Sequence, residues 1–246
     1  TLHYLMEACA ENGKPLLILD RPNPNADYID GPILKKEFSS FVGMHPIPVV
    51  HGLTVGELAR MINGEGWLKN GIKANLQVIP AENWDHSLAY SLPIKPSPNL
   101  PNDLSIRLYP SLCFFEGTDI SVGRGTYFPF QVFGAPDPKF GKFSFTPKSI
   151  QGMSKNPPHE NKECFGTDLR QEPLTHTFTL QYLLDMYQKS GKKEAFFNNF
   201  FDKLAGTDQL KKDIIAGKSE AEIKNSWKKG LTKYKQMREQ YLLYKD

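Results

Sequence analysis

Leu2, Leu5, Met6 and Cys9 recur at helical spacing, which predicts an amphipathic helix over Thr1–Asn12 closed by Gly13. Pro15 follows, and then the unbroken apolar run Leu16–Leu19. Such a run after a helix predicts a strand buried on both faces, as in a parallel sheet. Asp27–Met44 is a polar connection, and Pro46–Val50 is a second short apolar run. Thr54 and Glu57 form a capping-box pattern that opens a helix over Val55–Asn63. Lys73–Pro80 reads as a third strand, and Ser105–Phe115 is a fourth apolar run, broken at Pro110. Beyond Gly134-Ala135-Pro136-Asp137-Pro138 the pattern changes. Lys142–Ile150 predicts an edge strand and Cys164–Leu169 a further one. Helices are then predicted over Thr177–Lys189, Phe196–Leu204 and Asp208–Ala216, and a long last one opens at the Ser219/Glu222 capping box. Their aromatic stripes are core, because they repeat at helical spacing. The expected fold class is α/β: a parallel-sheet domain over 1–136, then a smaller α+β, helix-rich domain over 137–246.

Polar groups just past the carboxyl end of a buried strand sit where open α/β sheets bind ligands. Asp20-Arg21-Pro22-Asn23-Pro24 ends the first strand, and its prolines stiffen the turn that carries Asp20, Arg21 and Asn23. An Asp20–Arg21 pair that only ties the loop together is the plainer reading. His51-Gly52 ends the second run just before a helix N-terminus, whose positive end lowers the imidazole pKa and favours the neutral ring. Asn83-Trp84 follows the third, where the indole either stacks on a sugar ring or packs in the core.

The stretch Pro96–Gln131 has no sustained period, and a long ordered loop in a compact domain is usually a functional one. It carries Asn99, Glu116, Thr118, Arg124 and Thr126. Its Gly123-Arg124-Gly125-Thr126 segment lacks the Lys-Ser/Thr and the spacing of a phosphate-binding P-loop. Glu116 and Arg124 either pair with each other or act on a ligand. In the second case Arg124 clamps a carboxylate and Glu116 bonds hydroxyls or moves a proton.

Composition narrows the class. Of 246 residues, 23% are charged and the net charge is +3, an ordinary globular balance. The basic residues of Lys211–Lys245 alternate with acids at helical spacing and read as a solvated face, so no nucleic-acid partner is expected. Three cysteines, Cys9, Cys113 and Cys164, show no ligand spacing, which argues against a disulfide framework and structural zinc. No stretch approaches the length of a membrane span. The absence of a G-x-S-x-G elbow disfavours an acyl or amide hydrolase of the α/β type.

DRPNP, HPIPVVHGLTVGELA, PSPNLP and EGTDISVGRGTYFPFQVFGAP, in this order and with a terminal YLLY, resemble the NamZ-type exo-β-N-acetylmuramidases. The resemblance runs over essentially the whole chain and is strongest over Asp20–Pro136. It implies a Rossmann-like parallel-sheet domain and a smaller C-terminal one, with the active site in the cleft between them. It implies removal of terminal N-acetylmuramic acid from the non-reducing end of peptidoglycan fragments, without metal or nucleotide cofactor, in the periplasm or outside the cell. Members of that family carry an upstream segment with a PEHG-like motif whose Glu is the favoured acid/base. Thr1–Ala10 matches a helix that follows it, so this chain is expected to lack the family's N-terminal part and to be inactive alone. Many relatives have an acid at the positions of Val122 and Gln131, which strengthens the case for Glu116 as the second acid, with Asp20 the other candidate carboxyl in this chain. The expected site is therefore Glu116 and His51 as catalytic groups, with Asp20, Arg21, Asn23, Asn99, Thr118, Arg124 and Thr126 on the substrate. Arg21 and Arg124 are the partners for the lactyl carboxylate of muramic acid. The competing expectation is a peptidoglycan-binding module that cleaves nothing.

Overall fold

The computed structural model describes all of residues 1–246. Helix α1 (Leu2–Glu11) leads into β1 (Pro15–Leu19), which pairs in parallel with β4 (Asn75–Ile79), Leu19 opposite Ile79. Helix α2 (Val55–Gly64) lies between them in sequence. Met6, Leu16, Ala59, Ile62, Leu68 and Ala74 form the core that α1 and α2 make with one face of this pair. The other face is open: Leu17 and Leu19 are 55% and 67% exposed.

The second apolar run forms β3 (Pro48–Val50), but it does not join the parallel pair. It pairs antiparallel with β2 (Asp30–Ile33), inside the stretch whose polarity predicts only a connection. Asp30-Gly31-Pro32 offers almost none of the β-branched pattern that marks a strand, and tertiary pairing forms it instead.

The fourth apolar run is helical, not extended. Helix α3 (Asp103–Leu112) opens at a reciprocal cap between Asn102 and Ser105 and runs on as a 3₁₀ turn over Cys113–Gly117. Pro110 lacks the N–H that would bond the Ile106 carbonyl one turn earlier, a defect that ordinarily kinks or ends a helix. Here the Asn25 side-chain amide donates to that carbonyl at 3.0 Å, so the helix continues through the proline.

Beyond α3, β5 (Val132–Ala135), β7 (Cys164–Asp168) and β6 (Phe143–Phe145) form an antiparallel sheet in the order β5-β7-β6. Helices α4 (Gln181–Ser190), α5 (Phe201–Ala205), α6 (Gln209–Ile215) and α7 (Glu220–Glu239) complete a helix-rich C-terminal region. The run Phe196–Leu204 is split between a 3₁₀ turn and α5, whereas the Ser219/Glu222 box starts α7 as its sequence predicts. One buried cluster runs from Val50 through Leu108, Phe114, Phe115 and Phe133 to Phe201 and Ile223, joining α3, the antiparallel sheet and the last helices. Past α7 the tail returns to α2, where Arg60 donates to the carbonyls of Tyr241 and Leu242, both at 3.0 Å.

Candidate active site

Helix α3 and its 3₁₀ extension present Tyr109, Cys113 and Glu116 at positions i, i+4 and i+7, one helical face. That face walls a cleft of about 480 Å³, closed elsewhere by Pro48, His51 and Lys203. Glu116 accepts a hydrogen bond from Arg124 Nε at 2.7 Å, and the two side chains are 25% and 28% exposed. The Arg124 guanidinium also lies 5.1 Å from the centre of the Phe130 ring, and its Nη groups make no bond within the protein. Burial, with the Glu116 charge beside it, pushes the Cys113 thiol up to about 12, so it stays protonated and is no nucleophile at neutral pH. Burial likewise raises the Tyr109 hydroxyl above the usual phenol range.

His51 stands across the same cleft. Gly52 turns the chain at φ +63°, and a Cβ there would meet Ile29 Cγ1 at 2.8 Å, so only glycine fits. The turn brings the Leu53 N–H to His51 Nδ1 at 3.1 Å. Nδ1 is therefore the acceptor, and the proton of the neutral ring sits on Nε2. Burial first, and then the Arg238 charge, lower the His51 pKa to about 4, against a smaller opposing pull from Glu57. The neutral ring matches the expectation at this turn, but burial and an arginine produce it. Thr54 and Glu57 close the reciprocal cap of α2 that their spacing predicts.

None of the other predicted residues lines this cleft, and most are engaged by the protein. Asp20 does not pair with Arg21. It accepts from Thr54 Oγ1 at 2.6 Å, from the Gly56 N–H at 2.8 Å and from Tyr244 Oη at 2.8 Å. Arg21 is exposed and makes no ion pair or hydrogen bond. Asn23 donates to the Leu53 carbonyl at 2.9 Å. Asn99 donates to the Met153 carbonyl at 3.0 Å, and its Oδ1 is buried without a partner. Thr118 and Thr126 donate to the Phe115 and Gly123 carbonyls, three residues back in each case. Trp84 packs edge-on against Tyr244, ring centres 4.9 Å apart, so the indole is part of the seat for the C-terminal tail.

Sequence reasoning missed the helical face Tyr109–Cys113–Glu116, because the apolar run and Pro110 masked it. The Asn102-x-x-Ser105 cap was the signal that would have found it. It also missed Arg107, which donates to Asp27 with both Nη groups, to the Pro24 carbonyl at 2.9 Å and to the Leu174 carbonyl at 3.1 Å. Arg107 thereby fixes the segment after Asp20 against α3. On its side of α3 a second cleft of about 460 Å³ is lined by Asn23, Asp27, Tyr90 and Asp103. No three His, Cys, Asp or Glu side chains are grouped to hold a metal ion.

Comparison with known proteins gives the family. Residues 1–104 match the family described as exo-beta-N-acetylmuramidase NamZ, N-terminal, and residues 107–244 match its C-terminal counterpart. The chain is 36% identical over 266 residues to the peptidoglycan beta-N-acetylmuramidase NamZ of Bacillus subtilis strain 168, covering 99% of this chain. It spans 63% of the length of that curated relative. A DUF1343 family protein of Bacteroides fragilis has a crystal structure that superimposes with a TM-score of 0.95 at 50% identity, over 98% of this chain and 69% of that one. A second DUF1343 protein of the same organism, 23% identical with a TM-score of 0.78 over the same shares, has the same fold. With both family profiles matched in succession and a relative aligned nearly end to end, the chain belongs to the NamZ exo-β-N-acetylmuramidase family.

Proposed function

We propose that the chain acts, within a longer protein, as an exo-acting glycosidase that releases terminal N-acetylmuramic acid from peptidoglycan fragments. The observation that carries this reading is that Glu116 and His51 share one cleft, in which Glu116 is the single lining carboxylate. Glycoside cleavage ordinarily uses two carboxyl groups flanking the scissile bond. Glu116 is one, held in orientation by Arg124, and a segment outside residues 1–246 supplies the other. The open face of β1 and β4 offers that segment a seat, since parallel strands are normally covered on both faces. His51, neutral and protonated on Nε2, donates a hydrogen bond to a substrate oxygen. Arg21, which is unpaired, and Arg124, through its free Nη groups, are offered to the lactyl carboxylate. The substrate arises from cell-wall turnover, which puts the reaction in the periplasm or outside the cell and gives it a role in recycling muramyl sugars.

Turnover of a chromogenic N-acetylmuramide by the longer natural protein and by residues 1–246 tests this. The longer protein is expected to release the chromophore, and residues 1–246 to bind the sugar without cleaving it. Binding without cleavage by both would replace the glycosidase with a muramyl-binding module. Arg124→Ala is expected to weaken binding of N-acetylmuramic acid more than of N-acetylglucosamine, which lacks the lactyl group. Equal losses would remove Arg124 from that role.

A further inference from the structure

Each carbonyl of the turn that carries His51 is held by a side chain from a distant part of the chain. The His51 carbonyl accepts from Tyr234 Oη at 2.7 Å, the Gly52 carbonyl from Arg238 Nε at 2.9 Å, and the Leu53 carbonyl from Asn23 Nδ2 at 2.9 Å. Tyr234 and Arg238 are four residues apart on α7 and so project from one face. Both are almost fully buried, at 2% and 3% exposure. A buried guanidinium loses several kcal/mol of hydration, and a well-packed apolar side chain would hold α7 in place at less cost. Arg238 keeps its charge paired with the Asp246 carboxylate, and its Nη2 lies 3.4 Å from His86 Nδ1. His86 Nε2 in turn lies 3.0 Å from Glu57 Oε1, while Glu57 Oε2 accepts from the Thr54 N–H at the start of α2. A chain of buried polar contacts thus runs from α7 to both ends of the His51 turn.

We propose that Arg238 and Tyr234 are positioning residues that fix the His51 turn so that the imidazole presents Nε2–H, as a hydrogen-bond donor, to the cleft. With the Gly52 carbonyl held, its peptide plane cannot rotate, and the Leu53 N–H stays on Nδ1. Released, the turn frees Nδ1 and the ring takes either tautomer. Behind the ring stand Arg238, Glu57, His86 and Asp246, and across the cleft Glu116 and Lys203. The donor role toward substrate rests on the glycosidase reading, whereas the positioning stands on the geometry alone.

The test is imidazole ¹⁵N NMR of residues 1–246. The wild-type His51 ring is expected as the Nε2–H tautomer, neutral across the pH range in which an ordinary histidine titrates. Arg238→Gln is expected to mix the tautomers and raise the His51 midpoint by about one pH unit, since a neighbouring positive charge is lost. Arg238→Lys keeps the charge without the guanidinium fork, so it is expected to mix the tautomers with a smaller shift in midpoint. Tyr234→Phe removes one hydroxyl, and it carries the test if Arg238→Gln does not fold. An unchanged tautomer and midpoint in the folded variants would overturn the proposal. In the longer protein, tautomer mixing should accompany a fall in kcat of about tenfold or more with KM little moved. Mixing without any fall in kcat would leave the positioning standing and remove His51 from the reaction.

Discussion

The Asp20–Asn25 loop and the Glu116–Thr126 loop both carry candidate residues, and their side chains are used in opposite ways. In the first, polar side chains reach far across the chain: Asp20 to Thr54, Gly56 and Tyr244, Asn23 to Leu53, and Asn25 to the carbonyl that Pro110 leaves free. In the second most stay close to home, Thr118 on Phe115, Thr126 on Gly123 and Arg124 on Glu116, while Asp119 alone reaches away, to Lys192 on the surface. A side chain that already holds the fold cannot turn to a ligand without losing that bond. The first loop is therefore mainly a brace that leaves Arg21 free. The second keeps a partly exposed ion pair whose Glu116 lines a cleft, and such a pair can be exchanged for a ligand at small cost.

The largest expected effect tests the second loop. In the longer protein, Glu116→Gln should lower turnover by about 10²- to 10⁴-fold, the usual worth of a positioned acid or base. The same change should move the urea midpoint by less than about 1 kcal/mol of stability, because the pair is partly solvated. A folded variant with undiminished turnover would take Glu116 out of the chemistry.

Asp20→Ala should show the reverse. Three donors lose a charged acceptor, and denaturant unfolding should report roughly 3 kcal/mol of lost stability. If the loss is within experimental error, the first loop is not the brace described here.

Acidification reaches two histidines that the fold keeps neutral. His45 and His51 titrate at about 4 in the folded protein, His45 through burial and the neighbouring His3, His51 through burial and Arg238. An unfolded histidine titrates near 6.5, so below that pH the unfolded chain binds more protons than the folded one. Stability should fall as pH drops through the window from about 6.5 to about 4, by on the order of 2 kcal/mol for each ring. Glu57, held below the ordinary carboxylate range by His86 and backbone donors against its own burial, adds a loss only at the acid end. Thermal melts across this range check the sign, and a flat profile would refute it.

Two smaller effects complete the series. Tyr244→Phe deletes the hydroxyl that donates to Asp20 and accepts from the Ala81 N–H at 2.8 Å, and should cost about 1 kcal/mol in urea unfolding. Leu17→Ser, on the open strand face, should change the stability of residues 1–246 by less than about 0.5 kcal/mol. In the longer protein the same substitution should be clearly destabilising, and equal effects in both would mean that nothing covers that face.

Local order was legible where the signals are local. The capping boxes at Thr54 and Ser219, the apolar run of β1 and the alternation of β4 all predicted their elements, because each reports contacts within a few residues. The Glu116–Arg124 pairing was readable as one of two alternatives, since only eight residues separate the partners. Helix α3 was not legible: it passes through a proline whose orphaned carbonyl is satisfied from 81 residues away. The donors to Asp20 lie 34, 36 and 224 residues distant, and the tyrosine that holds the His51 carbonyl lies 183 away. Periodicity and spacing describe neighbours along a helix or strand. They carry no record of a hydrogen bond closed between chain segments that meet only after the core has packed. Candidate residues could thus be named from the order of amino acids, but which of them are left unbonded follows from what the folded chain has already paired.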